Sequence, residues 1–219
     1  MSRFVSALEG PGLLKQVKNV SRETEQRLTV FHDLLVQWQA RINLIAPSTI
    51  QQIWSRHIAD SVQVFESLEG ADEIVDIGSG AGLPGMIIAI LLAESGSGRV
   101  HLVESNGKKC AFLNAAIRQI GLRDQGVDIT VVNDRIEKAL PKIARPKIVT
   151  ARALASLNDL LRLTAPYLAN GTLGVFPKGR DHEAEIADAQ RYWEFEYAIV
   201  PSRLEDGSVL LKISALRPR

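Results

Sequence analysis

The pattern of apolar positions along the chain changes its period near residue 70. Before that point apolar residues recur at helical spacing, and between residues 22 and 41 they are Leu28, Phe31, Leu34, Leu35 and Trp38. We expect an amphipathic helix there, with these side chains in the core. A second helix is expected from STIQQIW to about residue 68, with Ser48 as its N-cap and Gly70 as its stop.

After residue 70, short apolar runs alternate with helical patterns. Strands are predicted at 73–78, 99–105, 128–134, 147–153 and 171–179, and helices at 84–94, 108–122 (ended by Gly121), 136–140, 157–168 and 181–193. The segment 195–216 alternates apolar and polar residues around Glu205-Asp206-Gly207, which predicts an antiparallel hairpin. The pattern indicates an α/β fold: a Rossmann-like, mostly parallel sheet over 71–219 with a terminal hairpin, and a helical segment 1–70 packed on it. This arrangement is expected of class I methyltransferases.

Composition narrows the setting in which the protein works. The 219 residues include one cysteine, Cys110, so neither an internal disulfide nor a cysteine zinc cluster can form. The longest apolar run, MIIAILLA at 86–93, is too short to span a bilayer, and MSRFVSALEG has no apolar core of signal-peptide length. We expect a cytoplasmic protein without a membrane partner or a bound metal.

The net charge of +1 neither requires nor excludes a polyanionic partner. Nucleic acid would have to bind a local patch. The clearest candidate is the segment 141–152, which has four basic residues and no acidic one: Lys142, Arg145, Lys147 and Arg152. A solvated loop and strand edge is the alternative for the first three.

The stretch VDIGSGAGLPG, residues 75–85, fits two ligand motifs. Counted from Gly80 it is G-x-G-x-x-G, which suggests a dinucleotide, and counted from Asp76 it is D-x-G-x-G-x-G, which suggests S-adenosylmethionine. Asp76 favours the second motif because a carboxylate repels pyrophosphate and attracts a sulfonium or an ammonium. Two opposite charges about 4 Å apart in a partly shielded site attract by roughly 4 kcal/mol before desolvation. Alternatively, Asp76 only caps the turn by accepting from backbone amides.

Further residues at strand ends suit an adenosine-containing ligand. Glu104 closes the second strand, 26 residues after Gly78, where an acidic residue accepts hydrogen bonds from ribose hydroxyls in both ligand families. Asp134, Ile136 and Glu137 follow the third strand, in position to meet an adenine ring.

The segment after the fourth strand limits the methyl acceptor. TARALASL, 150–157, lacks the Asn/Asp-Pro-Pro-aromatic tetrad of enzymes that methylate exocyclic amines. Cys110 lies in the second helix of the α/β region and is interpreted as a small core residue, not as the nucleophile that cytosine C5 methylation needs. Acceptors that are already nucleophilic remain, and guanine N7 is one of them because no proton leaves it.

Five segments together resemble the 16S ribosomal RNA guanine-N7 methyltransferases, the glucose-inhibited division protein B family. They are NL at 43–44, RHIADS at 56–61, VDIGSGAGLPG at 75–85, TARALASL at 150–157 and KG at 178–179. The resemblance runs from about residue 27 to the end and implies methylation of one guanine of 16S rRNA, free or in the 30S subunit, by a protein that we expect to be a monomer.

The resemblance also implies site residues. S-adenosylmethionine, the implied cofactor, would contact positions that match Gly78, Leu83, Ile136, Glu137 and Arg152, in addition to the Asp76 and Glu104 considered above. Arg152 would hold the cofactor carboxylate or orient the base. Three departures from the usual family pattern are Ile45 for threonine, Thr150 for serine and Pro177 for leucine, and the first puts an RNA role of its loop in doubt.

Candidate RNA contacts lie on either side of this site. His57 and Asp60 share a helix face that could meet the cleft, although His57 could equally be a partnered histidine between helix and domain. Lys178 and Arg180 follow the fifth strand and could touch phosphate, which positions RNA without reading its sequence.

Other functions stay open at this point. One is a methyltransferase for a small molecule or a protein, with the near-neutral segment 1–70 as a lid. Another is a non-catalytic RNA-binding ribosome-assembly protein, and a nicotinamide-dependent oxidoreductase is more distant because of Asp76 and the terminal hairpin.

Overall fold

A computed structural model describes residues 9–219 of the chain. The first eight residues of the predicted segment 1–70 lie outside this range, as does most of the stretch considered for a signal peptide. Over residues 9–219, the helices all lack the combination of length and apolarity that crossing a membrane requires.

The first predicted helix is confirmed as α1, Arg22–Gln39. It begins at Ser21, whose Oγ accepts a hydrogen bond from the backbone N–H of Thr24 at 3.1 Å. The predicted core residues Leu28, Phe31, Leu34 and Leu35 are buried, and Trp38 is partly buried against them. Helix α1 therefore packs on the sheet domain through the face that the apolar spacing indicated.

The second predicted helix is divided into three pieces. A 3-10 helix, Pro47–Gln52, leads through a π-helical turn, Trp54–Ala59, into α2, Asp60–Glu66. The prediction of Ser48 as an N-cap is wrong, because the helix starts one residue earlier and Ser48 lies inside it. Pro47 opens the first turn, where its fixed φ suits the helix and its missing N–H is not needed. Gly70, with φ of +81°, follows the helical region as expected.

Seven strands form one sheet in the order β3-β2-β1-β4-β5-β7-β6. They are β1 Glu73–Ile77, β2 Gly98–Val103, β3 Val127–Val132, β4 Ile148–Thr150, β5 Leu173–Lys178, β6 Trp193–Pro201 and β7 Val209–Pro218. The first five strands are parallel, whereas β7 is antiparallel to both β5 and β6. The predicted mostly parallel sheet with a terminal hairpin is confirmed.

Helices cover both faces of the sheet. The remaining α-helices are α3 Gly85–Leu92, α4 Gly107–Ile120, α5 Ile136–Ala139, α6 Leu157–Leu168 and α7 His182–Ala189. One hydrophobic cluster joins α1 to α4 with one face, and a second joins α5 to α7 with the other. Gly121 ends α4 in the left-handed conformation, as predicted. Helix α7 ends before the predicted residue 193, because Trp193 already belongs to β6.

Candidate functional site

A glycine turn connects the carboxyl end of β1 to α3. Gly78, Gly80 and Gly82 have φ of +65°, +54° and +79°, a region that residues with a Cβ rarely adopt. A Cβ on Gly78 would lie 2.6 Å from Cδ1 of Leu154, so the loop after β4 lies directly against the turn. Leu83, implied as a cofactor contact, is buried at the end of this turn.

Asp76 lies beneath the turn, fully buried at the end of β1. Its Oδ2 accepts a hydrogen bond from the backbone N–H of Gly85 at 3.3 Å, which is the capping contact considered from the sequence. Its Oδ1 has no hydrogen-bond partner within residues 9–219. Burial raises the pKa of Asp76 to about 7, against the opposing effect of the Gly85 amide. The carboxylate therefore combines a structural contact with an unsatisfied acceptor.

Glu104 joins the ends of β1 and β2. Its Oε2 accepts from the backbone N–H of Gly80 at 2.9 Å, and its Oε1 accepts from that of Asn106 at 2.7 Å. A carboxylate has about four lone-pair sites, so acceptor capacity remains for ligand hydroxyls. Cys110 is buried behind Glu104 and its thiol donates to the Glu104 carbonyl at 3.2 Å, so the predicted core position of Cys110 is confirmed.

The residues that follow β3 lie at the same edge of the sheet. Ile136 is half-buried and Glu137 exposed in the first turn of α5. Asp134 precedes them and accepts from Lys142 Nζ at 3.1 Å, and this hydrogen bond holds the pKa of Asp134 below its usual value. An adenine ring bound here would thus face the apolar side chain of Ile136 and the solvated carboxylate of Glu137.

Arg152 follows β4 and is bound by the helical segment, not by the sheet. Its Nη1 donates to the Arg56 carbonyl at 2.9 Å and to Asp60 Oδ2 at 3.3 Å, and its Nη2 contacts His57 Nδ1. Arg152 also lies close enough to Asp76 for each charge to shift the pKa of the other. The guanidinium group therefore connects the π-helical turn to the base of the glycine turn.

His57 is buried and holds Arg152 through a neutral ring. Burial, followed by the charges of Arg152 and Arg56, lowers the pKa of His57 to about 3. Nδ1 faces a guanidinium donor and must be the acceptor, so the ring proton is on Nε2. Nε2 lies 2.8 Å from Thr49 Oγ1 and donates to it. The structure thus places His57 between helix and domain, the second of the two positions considered for it.

A cleft of about 600 Å³ opens at the carboxyl ends of β4 and β5. Its lining includes the neutral His57 and seven charged residues: Arg56, Asp60, Arg152, Lys178, Arg180, Glu185 and Glu205. Lys178 Nζ donates to Glu185 Oε2 at 2.7 Å and to the Ala155 carbonyl at 3.1 Å, so it ties the loop after β4 to α7. Arg180 is exposed at the rim.

The basic residues of 141–152 do not form one patch. Lys147 precedes β4 and pairs with Asp72 at 2.7 Å, whereas Arg152 follows β4 at the opposite edge of the sheet. Lys142 pairs with Asp134. The candidate patch is therefore wrong where it includes Lys147, because the three residues of β4 separate Lys147 from Arg152.

Three charged residues of the cleft were missed from the sequence: Arg56, Glu185 and Glu205. Arg56 and Glu205 form an ion pair of 2.8 Å across its mouth. Arg56 stands in the Arg-His-x-x-Asp-Ser segment, which offered a signal for it, whereas Glu205 was interpreted only as part of a hairpin turn. Among residues 9–219, groups of three or more His, Cys, Asp or Glu with the arrangement of a metal site are absent.

The residues at the glycine turn fit S-adenosylmethionine better than a dinucleotide. The carboxylates of Asp76 and Glu104 lie at the ends of β1 and β2. Asp76 Oδ1 is a buried acceptor that has no partner among residues 9–219. Pyrophosphate would be repelled there, whereas the ammonium and sulfonium of S-adenosylmethionine would be attracted. Asp76, Gly78 and Glu104 meet at this turn, and Arg152 approaches it from the cleft.

Comparisons with known proteins identify the family of the chain. The family described as "GidB: rRNA small subunit methyltransferase G" matches residues 24–206. A curated "Ribosomal RNA small subunit methyltransferase G" of Brucella ovis is 46% identical over 201 residues, covering 92% of each chain. The protein of the same name from Bartonella henselae is 44% identical and covers 94% of this chain and 93% of that relative.

Solved structures with low sequence identity share the fold. A methyltransferase from Geobacter sulfurreducens aligns with a TM-score of 0.58 at 14% identity over 93% of both chains. The SAH-bound methyltransferase PaMTH1 of Podospora anserina aligns with a TM-score of 0.56 at 12% identity, covering 90% of this chain and 97% of that one. The fold is that of class I methyltransferases. The chain belongs to the rRNA small subunit methyltransferase G family and is an S-adenosylmethionine-dependent methyltransferase.

Proposed function

We propose that the protein methylates N7 of one specific guanine in the 16S rRNA of the small ribosomal subunit, acting as a monomer in the cytoplasm. The observation that carries the proposal is the match to a ribosomal RNA small subunit methyltransferase over 92% of the chain at 46% identity. The cleft beside the cofactor turn has the exposed Arg180 at its rim and the exposed Arg56–Glu205 pair in its lining, and these two arginines support an RNA substrate.

The chemistry needs alignment more than proton transfer. S-adenosylmethionine supplies an electrophilic methyl group when bound. The N7 lone pair of guanine would form the new bond to this methyl carbon as the carbon–sulfur bond breaks, and the electron pair of that bond would stay on sulfur. No proton leaves N7, so no general base is required. His57 fits this requirement, since Arg152 and Thr49 occupy both of its ring nitrogens.

We propose the following roles for the chain's residues. Asp76, Gly78, Leu83, Glu104, Ile136, Glu137 and Arg152 bind the cofactor, and Arg180 contacts the RNA. His57 lies behind Arg152 and orients it, and Lys178 holds the loop that contains Ala155. Both residues therefore support the RNA site by positioning its neighbouring groups. The loop after β4 would exclude water because Leu154 packs on Gly78.

The test is a methyl-transfer assay on defined RNA. The protein is incubated with labelled S-adenosylmethionine and either free 16S rRNA or 30S subunits from cells that lack the enzyme. Borohydride and aniline then cleave the RNA at 7-methylguanine. We expect scission at one guanine, and no new label in RNA from cells that contain the enzyme. Label without scission would refute N7 as the acceptor, and label that enters only protein or small molecules would refute the RNA substrate.

A further inference from the structure

Three of the four cations of the cleft are held by ion pairs that differ in their exposure. The Lys178–Glu185 and Arg152–Asp60 pairs have side-chain exposures of 7% and 28%, and of 18% and 23%. The Arg56–Glu205 pair is more open, at 44% and 43%. The outer pair is therefore the one that an incoming polyanion meets first.

The two inner pairs have additional anchors. Lys178 also donates to the Ala155 carbonyl, and Glu185 accepts from the backbone N–H of Leu157 at 2.7 Å. Arg152 also donates to the carbonyl of Arg56 and contacts His57. Releasing either cation would leave buried polar groups without partners. The inner pairs therefore serve the structure of the site and are not available for exchange with a phosphate.

The outer pair lies on a loop that reaches both rim arginines. Residues 202–208 connect β6 to β7, and Glu205 in this loop holds Arg56 at 2.8 Å. Gly207 in the same loop lies against the stem of Arg180, where an added Cβ would be 2.8 Å from Cγ. Arg180 itself has no carboxylate partner within the described range 9–219. The loop 202–208 thus contacts the guanidinium group of Arg56, which is paired with Glu205, and the stem of Arg180, which has no carboxylate partner among residues 9–219.

We propose that Arg56 and Arg180 form a binding site for backbone phosphate of the RNA, and that Glu205 occupies Arg56 until phosphate displaces it. The proposal rests on the proposed function for its RNA substrate. An exposed ion pair contributes little to stability, so exchange is accessible. A backbone phosphodiester matches the Glu205 carboxylate in charge and in its two acceptor oxygens, and the binding of a polyanion also releases condensed counterions, which favours the exchange. Glu205 would then keep the rim neutral in the free protein and disfavour other polyanions.

The experiment measures RNA binding as a function of salt. An oligouridylate of about 12 nucleotides, within the range that single-strand grooves cover, is labelled with fluorescein and titrated by anisotropy. KCl is varied between roughly 50 and 200 mM. The variants are Arg56→Gln, Arg180→Gln, Glu205→Gln and the double variant of Arg56 and Glu205. Asp206→Asn is the matched control, because it removes the same charge from the neighbouring exposed position.

Each arginine that contacts phosphate contributes about 0.7 to the slope of log K against log salt for a single strand. We expect Arg56→Gln and Arg180→Gln to flatten the slope by that amount each. Glu205→Gln should tighten binding about two- to fivefold, the strength of an exposed ion pair. In the Arg56→Gln background, Glu205→Gln should have no such effect, and Asp206→Asn should have none in the wild-type background.

Two results would overturn the proposal. If Glu205→Gln tightens binding no more than Asp206→Asn does, Glu205 acts only through its general charge. If the slope is unchanged in Arg56→Gln, phosphate does not bind there. Methyl transfer to 16S rRNA by the wild-type protein is measured in parallel. Its absence, together with the expected oligouridylate slopes, would refute the proposed function and leave the phosphate site standing.

Discussion

Replacing Asp76 by asparagine tests how the buried carboxylate affects folding. Burial raises the pKa of Asp76 from 3.8 to about 7, so the folded protein binds a proton that the unfolded chain releases. Its contribution to stability is complete below pH 3.8 and is lost as pH rises to about 7. Each pH unit in that window corresponds to about 1.4 kcal/mol. Between pH 5 and 7 the wild-type protein should therefore lose roughly 2–3 kcal/mol that Asp76→Asn retains.

The assay must separate Asp76 from His57, which titrates in the opposite sense. Because the pKa of His57 falls from 6.5 to about 3, its contribution is present above pH 6.5 and is lost as pH falls. The two slopes partly cancel in the wild-type protein. We would therefore measure the free energy of unfolding by urea at pH 5, 6, 7 and 8 for the wild-type protein and for Asp76→Asn. The value for the variant minus that for the wild type is plotted against pH, and the His57 contribution drops out of this difference.

Asp72→Asn is the control for this measurement. Lys147 holds the pKa of Asp72 below 3.8, so its titration lies outside the range from pH 5 to 8 and the profile should not change. A difference curve for Asp76→Asn that is flat, or that falls as pH rises, would refute the argument from burial. Calorimetry should also show S-adenosylmethionine binding weakened about tenfold or more, which is about 1.4 kcal/mol. Unchanged affinity would leave Asp76 with the capping role alone.

Three further substitutions test the geometry of the site. Gly85→Ala should lower the free energy of unfolding by about 1–3 kcal/mol in urea titrations, because its Cβ would lie 2.4 Å from Leu102 Cδ2; an unchanged value would contradict that packing. Glu104→Gln should weaken S-adenosylmethionine binding in calorimetry and destabilise the fold by about 1.5–3 kcal/mol, since an amide cannot accept from both backbone N–H groups. His57→Ala should lower kcat roughly five- to tenfold by releasing Arg152. Its pH profile should stay unchanged above pH 6, because the pKa of His57 is about 3.

The fold could be predicted because its elements depend on local periodicity. The apolar runs of β1 to β5 and the amphipathic face of α1 contain their own signal. The helix after residue 47 could not be predicted in detail. A π-helical turn at Trp54–Ala59 has no distinct apolar period, and its carbonyl at Arg56 is satisfied by Arg152, which comes 96 residues later. Contacts at such separation depend on the assembled sheet.

The residues of the site also divide into those that the local sequence predicts and those that depend on distant contacts. Asp76, Gly78 and Glu104 could be placed because the carboxyl ends of parallel strands meet at one edge. The partner of a charged side chain could not be predicted. Lys178 looked available for phosphate, yet Glu185 on α7 neutralises it. The segment that contains Arg56 was recognised, but its partner Glu205 lies on a distant hairpin and could not be predicted.

The position of β7 inside the sheet affects how the chain folds during synthesis. Strand β6 is synthesised before β7. In the sheet, however, β6 pairs with β7, and β7 lies between β6 and β5. Until residues 209–218 have left the ribosome, β5 and the nascent β6 both expose backbone groups without a partner. Tyr197 and Ile199, which stay exposed on β6, add apolar surface to that intermediate. A nonsense codon between residues 201 and 209 would therefore yield a protein that retains the glycine turn, leaves β5 as an open edge and β6 without its partner strand, and tends to aggregate.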